Sequence, residues 1–563
     1  MSQHFQKTAG TSLGKFGKLY LCCICQYLLW SWPTWGQDSS AWNTIDFEES
    51  LVKIHRYTLG DYTYRLYQLN PFINRWFILE VNSPTHTQRF HLENPTMSKS
   101  VQLHKAGLLI SKRFGISHTC VLWDKKGPNF ISSKLKQHAN PYYSICGNEL
   151  FMRLHRSSET KLSMTEWSTS LLRKTSFGES IINIVKPIAV QLSAETIEDE
   201  DTQRKNVQMD ILKKGAHLRP PPIRRKLQSA ATLNPDSHSL GIEPAQKSKD
   251  IYLGHWYPTK MYNDIYVSLF LPNMIPGALQ DAQAKNLWPM LEKEDSSLVY
   301  AVAYDLSNYG VRYISGTTQP LTSNSIRKFG RANFLRKYVV RVGNVPPFDI
   351  LDSVAVFIGG FKTRHSTIQQ GPHKGKTYGF VEGGVSLSPL QPGLATLHTN
   401  VDHQVNISAW PASLEQHQQM RKTTESARQN GVLILENGHP TTLVKSWRGG
   451  NWSADVHGMR QSLRSGVCTA TNGSKRDFLI FFAFTLSTPS TMARVMQSYG
   501  CRNAMHLDMN ALMYLHNAIY AVNEKSEIKI QYLHKEMLYP PKLKRHRYIL
   551  DNNLRDFFYV YRK

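Results

Sequence analysis

Asp508 closes a short apolar run, residues 504–507, and Asn510 follows it two positions later. A carboxylate at the end of a strand is well placed for chemistry, because sites are commonly built where strands give way to loops. His506 stands two residues before Asp508, on the same side of an extended strand. Two glycine pairs end other apolar runs: Gly359-Gly360 after 354–358, and Gly383-Gly384 after 377–382, the second directly following Glu382. Glycines there permit backbone geometry that a side chain would block. Arg464 precedes Ser465 and Gly466 and can bond an oxyanion through two parallel donors. None of the 22 histidines stands in a HExxH or comparable ligand spacing, so no metal is expected. No cofactor is indicated. No Gly-x-Ser-x-Gly elbow is present, which argues against an α/β-hydrolase.

The element that must position Asp508 begins with residues 478–484, an apolar run of buried-strand length. Ser487 and Thr488 can cap a helix, and Pro489 suits its first turn. Met492, Val495, Met496 and Tyr499 fall at i, i+3, i+4 and i+7, one helix face, and Gly500 provides the stop. The expectation is a strand–helix–strand unit with Asp508 at the tip of its second strand.

Strands are also expected at residues 62–67, 76–81, 299–304, 337–342 and 354–358, from their β-branched and aromatic content. Residues 146–154 read as a turn into a strand. Residues 394–398 and 405–410 suggest a meander, and 431–435 a hairpin strand closed by Asn437-Gly438. Residues 165–172 fit a short helix, 180–185 are extended, and 414–430 are polar and helix-compatible. The fold expected is α+β, with strand-rich mixed sheets and a few packed helices. No internal repeat is found.

The 563 residues exceed one ordinary core, and 41% hydrophobic content supports packed domains. The formal charge of +25 favours anionic surroundings, such as phosphorylated glycans or an anionic cell surface. Zinc-finger spacing and an aromatic-basic RNA-binding signature are both missing, which argues against nucleic acid. Residues 1–36 read as an export signal: Lys7, Lys15 and Lys18 precede an apolar run at 19–32, and Thr34 and Gly36 precede a cut before Gln37. An uncleaved N-terminal anchor is the alternative. Export would place the chain in the periplasm, the cell envelope or the medium. A strand-rich domain is then expected over 42–190 and a linker over 191–250. The linker joins an acidic patch (Glu198, Asp199, Glu200, Asp201) to a basic, proline-rich one (Arg219 to Lys226). A second domain spans 251–563. Cys120, Cys146, Cys468 and Cys501 remain after cleavage. They allow two disulfides with pairing undetermined, Cys468–Cys501 being the more natural, or four reduced thiols.

Residues 355–361, AVFIGGF, resemble the hydrophobic–Asn–Gly–Gly–Phe block of the phosphodiester glycosidases. Residues 378–384, YGFVEGG, resemble that family's next block. Arg464-Ser465-Gly466 resembles its Arg-Thr/Ser-Ala/Gly segment, and 478–516 its final block. These come in the family's order over about residues 298–515, and 146–185 resembles N-terminal regions of some bacterial members. The resemblance implies a phosphodiester glycosidase-like domain that hydrolyses a sugar-1-phosphodiester in envelope or extracellular glycans. It implies Asp508 and Glu382 as catalytic carboxylates. Arg464 would meet the phosphate, with Gly359, Gly360, Gly383 and Gly384 offering backbone N–H groups and Asn510 bonding a sugar hydroxyl. Two departures stand out. Ile358 replaces Asn, and Met509, Asn510, Ala511 and Leu512 replace a glycine run after Asp508. Glycines there would turn N–H groups toward a phosphate, which Met, Ala and Leu do less readily. The other reading is therefore a non-catalytic module binding anionic glycans on the same fold.

Overall fold

The run at 478–484 becomes the middle of a long strand, Asp477–Ser487. It lies between Val299–Asp305 and Ser462–Thr471, antiparallel to both. Cys501–Met509 pairs with the other side of Ser462–Thr471, and the whole sheet has eight strands. Alternation along Asp477–Ser487 gives each face its own partner. Phe482 meets Tyr499 at 5.3 Å, at the end of the helix Pro489–Ser498. Phe481, pointing the other way, meets Phe357 at 5.6 Å in a five-stranded sheet. Thr488 caps the helix as expected, accepting a hydrogen bond from the Thr491 N–H, and Gly500 ends it at φ +74°.

The computed structural model describes most of residues 51–154 and 232–563. Residues 1–50 and 155–231 lie outside the described residues, as do short segments such as 129–140, 276–285, 323–334 and 447–459. The export signal, the helix at 165–172, the extended stretch at 180–185 and both charged patches fall there. The described residues belong to one unit, Thr44–Lys563. The end of the expected linker is part of it: Thr232–Leu233 pairs with Ile251–Tyr252, and Leu240 and Ile242 are buried.

The α+β expectation is overturned. Of the described residues 48% are in strands and 11% in helices, a mostly β fold of antiparallel sheets. One cause is legible at residues 414–430. The helix Leu414–Thr423 stops after ten residues, and Thr424–Gln429 continues as a strand buried along its whole length. That strand sits between Phe380–Glu382 and Ala395–Asn400 in a second five-stranded sheet. Its sequence is polar and helix-compatible, yet its charges are paired inside the protein. Sheets here are largely covered by other sheets, so few helices are needed. Residues 337–342 likewise form no strand. The Val340 N–H donates to His91 Nδ1 (3.0 Å) and its carbonyl accepts from Arg153 (3.1 Å), so side chains take the bonds a ladder would use.

An N-terminal six-stranded sheet contains Tyr62–Gln68, Trp76–Asn82 and Leu150–Arg153. It docks on the rest through Trp76. Gly383, at φ +57°, makes this close approach possible: a Cβ there would come within 2.5 Å of the Trp76 ring. The last strand, Phe557–Arg562, is not at an edge. It lies between Tyr309–Ile314 and Ser353–Ile358 in the five-stranded sheet that faces the largest one. Two disulfides form, Cys120–Cys146 and Cys468–Cys501.

Candidate functional site

Asp508 lies within the strand Cys501–Met509 rather than beyond it, at an irregularity that redirects it. Arg464 pairs with Met509 and Gly466 with His506, so Ser465 alone opposes Leu507 and Asp508. This extra residue is a β-bulge, a device that re-aims side chains. It breaks the alternation that would have put Asp508 beside His506. His506 and Met509 share one face, and Asp508 leaves it. The Ser465 hydroxyl bridges the bulge, within 3.1 Å of both the Asp508 N–H and its carbonyl.

The redirected carboxylate meets Arg555. One guanidinium nitrogen donates to Asp508 Oδ2 and, at 2.8 Å, to the Gly360 carbonyl. The Met509 N–H donates to Asp508 Oδ1 at 2.8 Å. Burial pushes the Asp508 carboxyl above its usual range, against the opposing pull of Arg555, the Met509 N–H and Lys362. Tyr514 lies beside this pair, with Arg555 5.0 Å and Lys362 5.6 Å from its ring centre. Lys362, Asn510 and Tyr514 are half-exposed, so this rim reaches the surface.

Gly359-Gly360 forms the adjoining corner. A Cβ at Gly359 would strike the Asp556 carboxylate at 2.5 Å. Asp556 itself accepts from Arg428 Nε (2.8 Å) and Tyr313 (3.0 Å). Asn430 joins the corner to the bulged strand. It accepts from the Phe361 N–H (3.2 Å) and donates to the carbonyls of His506 (2.8 Å) and Leu507 (2.5 Å). The glycine corner and the late Asp do meet in space. Asn510, at φ +81°, accepts from the Ser462 hydroxyl at 3.0 Å.

Glu382 is held elsewhere. Arg153 donates to its Oε1 through two nitrogens at 3.0 Å, and Ser315 to its Oε2 through N–H (2.9 Å) and hydroxyl (2.5 Å). An alternating chain continues from there: Arg153 to Glu93 (2.6 Å), Glu93 to Arg75 (3.0 Å), Arg75 to Glu425 (2.8 Å), Glu425 to Arg312 (3.0 Å), Arg312 to Asp349 (2.9 Å). The free space among these groups is about 10 Å³, the room of one water. No sugar fits beside Glu382, and among the described residues it shares no hydrogen-bond partner with Asp508. Gly383 and Gly384 serve the same interface: Gly383 faces Trp76, and the Gly384 carbonyl accepts from Asn70 at 2.9 Å.

The network makes a prediction about acid. Burial opposes ionisation of Glu93, but Arg153 and Arg75 outweigh it and hold its carboxyl down to about 2. Its stabilising contribution is thus complete above the unfolded value near 4.5 and lost as pH falls from there toward 2. Thermal unfolding followed from pH 6 to pH 2.5 should show a midpoint falling steeply below pH 4.5. In Glu93→Gln the midpoint should be lower at pH 6 and the remaining acid dependence shallower. An unchanged slope would show that Glu93 is not the group responsible.

Arg464 is also placed apart from Asp508. Fully buried, it donates to the carbonyls of Ser487 (2.8 Å) and Arg460 (2.9 Å), with the Met509 sulfur at 3.6 Å. Being cross-strand to Met509, it occupies the face that the bulge turns Asp508 away from. Burial pushes its guanidinium down to about 9. The cations that do approach Asp508 are Arg555 and Lys362. Arg555 lies past the last block of the resemblance, which ends at residue 516, so no motif points to it. The available clue was Arg555-Asp556 set directly before the apolar run FFYVY.

Comparison with known proteins adds little. No family model and no curated protein matches the chain. Among solved structures it is similar to the catalytic domain of zebrafish N-acetylglucosamine-1-phosphodiester alpha-N-acetylglucosaminidase, auto-inhibited by its pro-peptide. The identity is 8% and the TM-score 0.30, over 59% of this chain and 88% of that one. It is also similar to a Burkholderia pseudomallei protein described as exported, at 9% identity and TM-score 0.24, over 47% of this chain and 74% of the other. Likeness at this level says nothing about activity.

Proposed function

We propose that the chain hydrolyses a sugar-1-phosphodiester, with Asp508 as the reacting carboxylate and Arg555 and Lys362 as the cations that meet the phosphate. The observation that supports this is the meeting of Asp508 with Arg555 at the half-exposed rim of Lys362, Asn510 and Tyr514. A phosphate leaving an anomeric carbon is a weak base. Its departure needs neutralised charge more than a proton, which two cations supply. Attack on the anomeric carbon needs a carboxylate, as base toward water or as nucleophile. The ion pair couples the two demands. A phosphate arriving at Arg555 competes with Asp508 for the guanidinium. As Asp508 loses that partner its pKa rises, and the carboxylate becomes a stronger base when substrate is in place. The C1–O bond breaks, water oxygen joins C1, and the phosphate departs as a monoester. Glu382 and Arg464 act in this scheme as structural groups.

The two disulfides fit an oxidising compartment, which supports export and an envelope or extracellular glycan as substrate. The test is incubation of the whole chain, N-terminal sheet included, with a panel of sugar-1-phosphodiesters, measuring free reducing sugar. Sugar release from at least one member is expected. Saturable binding of the panel without release would instead favour the glycan-binding module.

A further inference from the structure

Past Asn510 the chain forms a short turn, Leu512–Tyr514, whose Tyr514 ring lies beside Arg555. Ala511, Leu512, Met513 and Tyr514 are all half-exposed. Leu512 and Tyr514 rest one side on the main core. The resemblance to the phosphodiester glycosidases would place glycines over residues 509–512, so Ala511 and Leu512 are a departure belonging to this chain, and Met513 and Tyr514 follow directly after it. The ledge is continuous with the cations, because the Tyr514 ring that belongs to it is also the ring approached by Arg555 and Lys362. A third cation, Arg547, donates to the Met513 carbonyl from below. An anion held by Arg555 and Lys362 thus has the hydrocarbon of the Tyr514 ring along one flank.

We infer that the phosphodiester taken by this site carries a hydrocarbon chain as its second ester, laid along Leu512, Met513 and Tyr514: a lipid-linked sugar phosphate rather than a sugar-phosphate-sugar. The inference rests on the proposed reading of the site, but its test does not need turnover. The half-exposed apolar side chains of the ledge favour an alkyl chain, since each methylene removed from water adds to binding.

The experiment compares methyl phosphate with octyl phosphate, kept below micelle formation, by titration calorimetry on the whole chain. Octyl phosphate should bind at least tenfold more tightly. In Leu512→Asn/Met513→Gln that preference should shrink to about twofold while methyl phosphate binding is unchanged. Met513→Gln alone, the milder change, should show part of the loss and guards against misfolding of the double variant. Equal affinities in the natural chain, no binding of either phosphate, or a preference that survives both variants would overturn the inference. Failure of the hydrolytic reading would look different: no sugar release from any diester, with the octyl preference intact.

Discussion

Asp508→Asn will abolish sugar release while leaving the fold intact. The amide keeps the shape of the carboxyl group, and its single oxygen can accept from either the Met509 N–H or Arg555. It can neither take a proton nor attack the anomeric carbon. Loss of a positioned base costs roughly 10²–10⁴ in rate, so turnover should fall by at least about 100-fold. Circular dichroism should change little, while the unfolding midpoint should fall, because the buried Arg555 loses its counter-ion. The pH profile of the proposed activity in the unsubstituted chain supplies a second arm. Asp508 must be ionised to act, and its pKa is already pushed up by burial. Activity should therefore fall on the acid side at a higher pH than an ordinary carboxylate would give. Undiminished turnover in Asp508→Asn would remove this residue from the mechanism and leave the proposed site without its reacting group.

Arg153→Met will be the most destabilising single change at the interface between the N-terminal sheet and the rest. Arg153 lies between Glu93 and Glu382, and all three side chains are at most 2% exposed. Removing one partner of a buried ion pair costs about 3–5 kcal/mol, because the charge left behind has neither water nor counter-ion. Here Glu382 is left with the Ser315 donors alone, and Glu93 with Arg75 as its one remaining salt-bridge partner among the described residues. The unfolding midpoint should drop sharply, and soluble yield with it. Glu382→Gln should also lower the midpoint, yet keep the specific activity of the folded fraction. If Glu382→Gln instead destroys turnover at full stability, Glu382 belongs to the reaction and the two carboxylates act together.

These two variants mark where sequence reasoning reached and where it stopped. The strand at 478–484, its capped helix and the Gly500 stop were legible because local chemistry and burial agree there. Asn437-Gly438 was legible for the same reason: both adopt positive φ and close a hairpin between Leu433–Glu436 and His439–Pro440. The strand Thr424–Gln429 was not. Its Glu425 and Arg428 are neutralised by Arg75 and Asp556, which lie 350 and 128 residues away. No local pattern reports such partners. The bulge at Leu507-Asp508 was hidden too. It depends on register between strands, and moving one residue exchanges the two faces. That single offset separates Asp508 from Arg464 and hands it to Arg555. The gathering of Asp508 with Gly359-Gly360 was anticipated through the ordered motifs. The placement of Glu382 and Arg464 was not, because a buried structural charge and a reactive one share the same letters.

The position of the final strand bears on how the molecule comes into being. Phe557–Arg562 fills the middle of its sheet, and Arg555 and Asp556 immediately precede it. Until residues 557–562 are made, their neighbours Tyr309–Ile314 and Ser353–Ile358 have a gap between them. Asp508 likewise has no Arg555 guanidinium to pair with until residue 555 has left the ribosome. A chain truncated before Arg555 would thus have an open sheet and a buried carboxylate without its counter-ion, so the sheet and the ion pair are completed together and late.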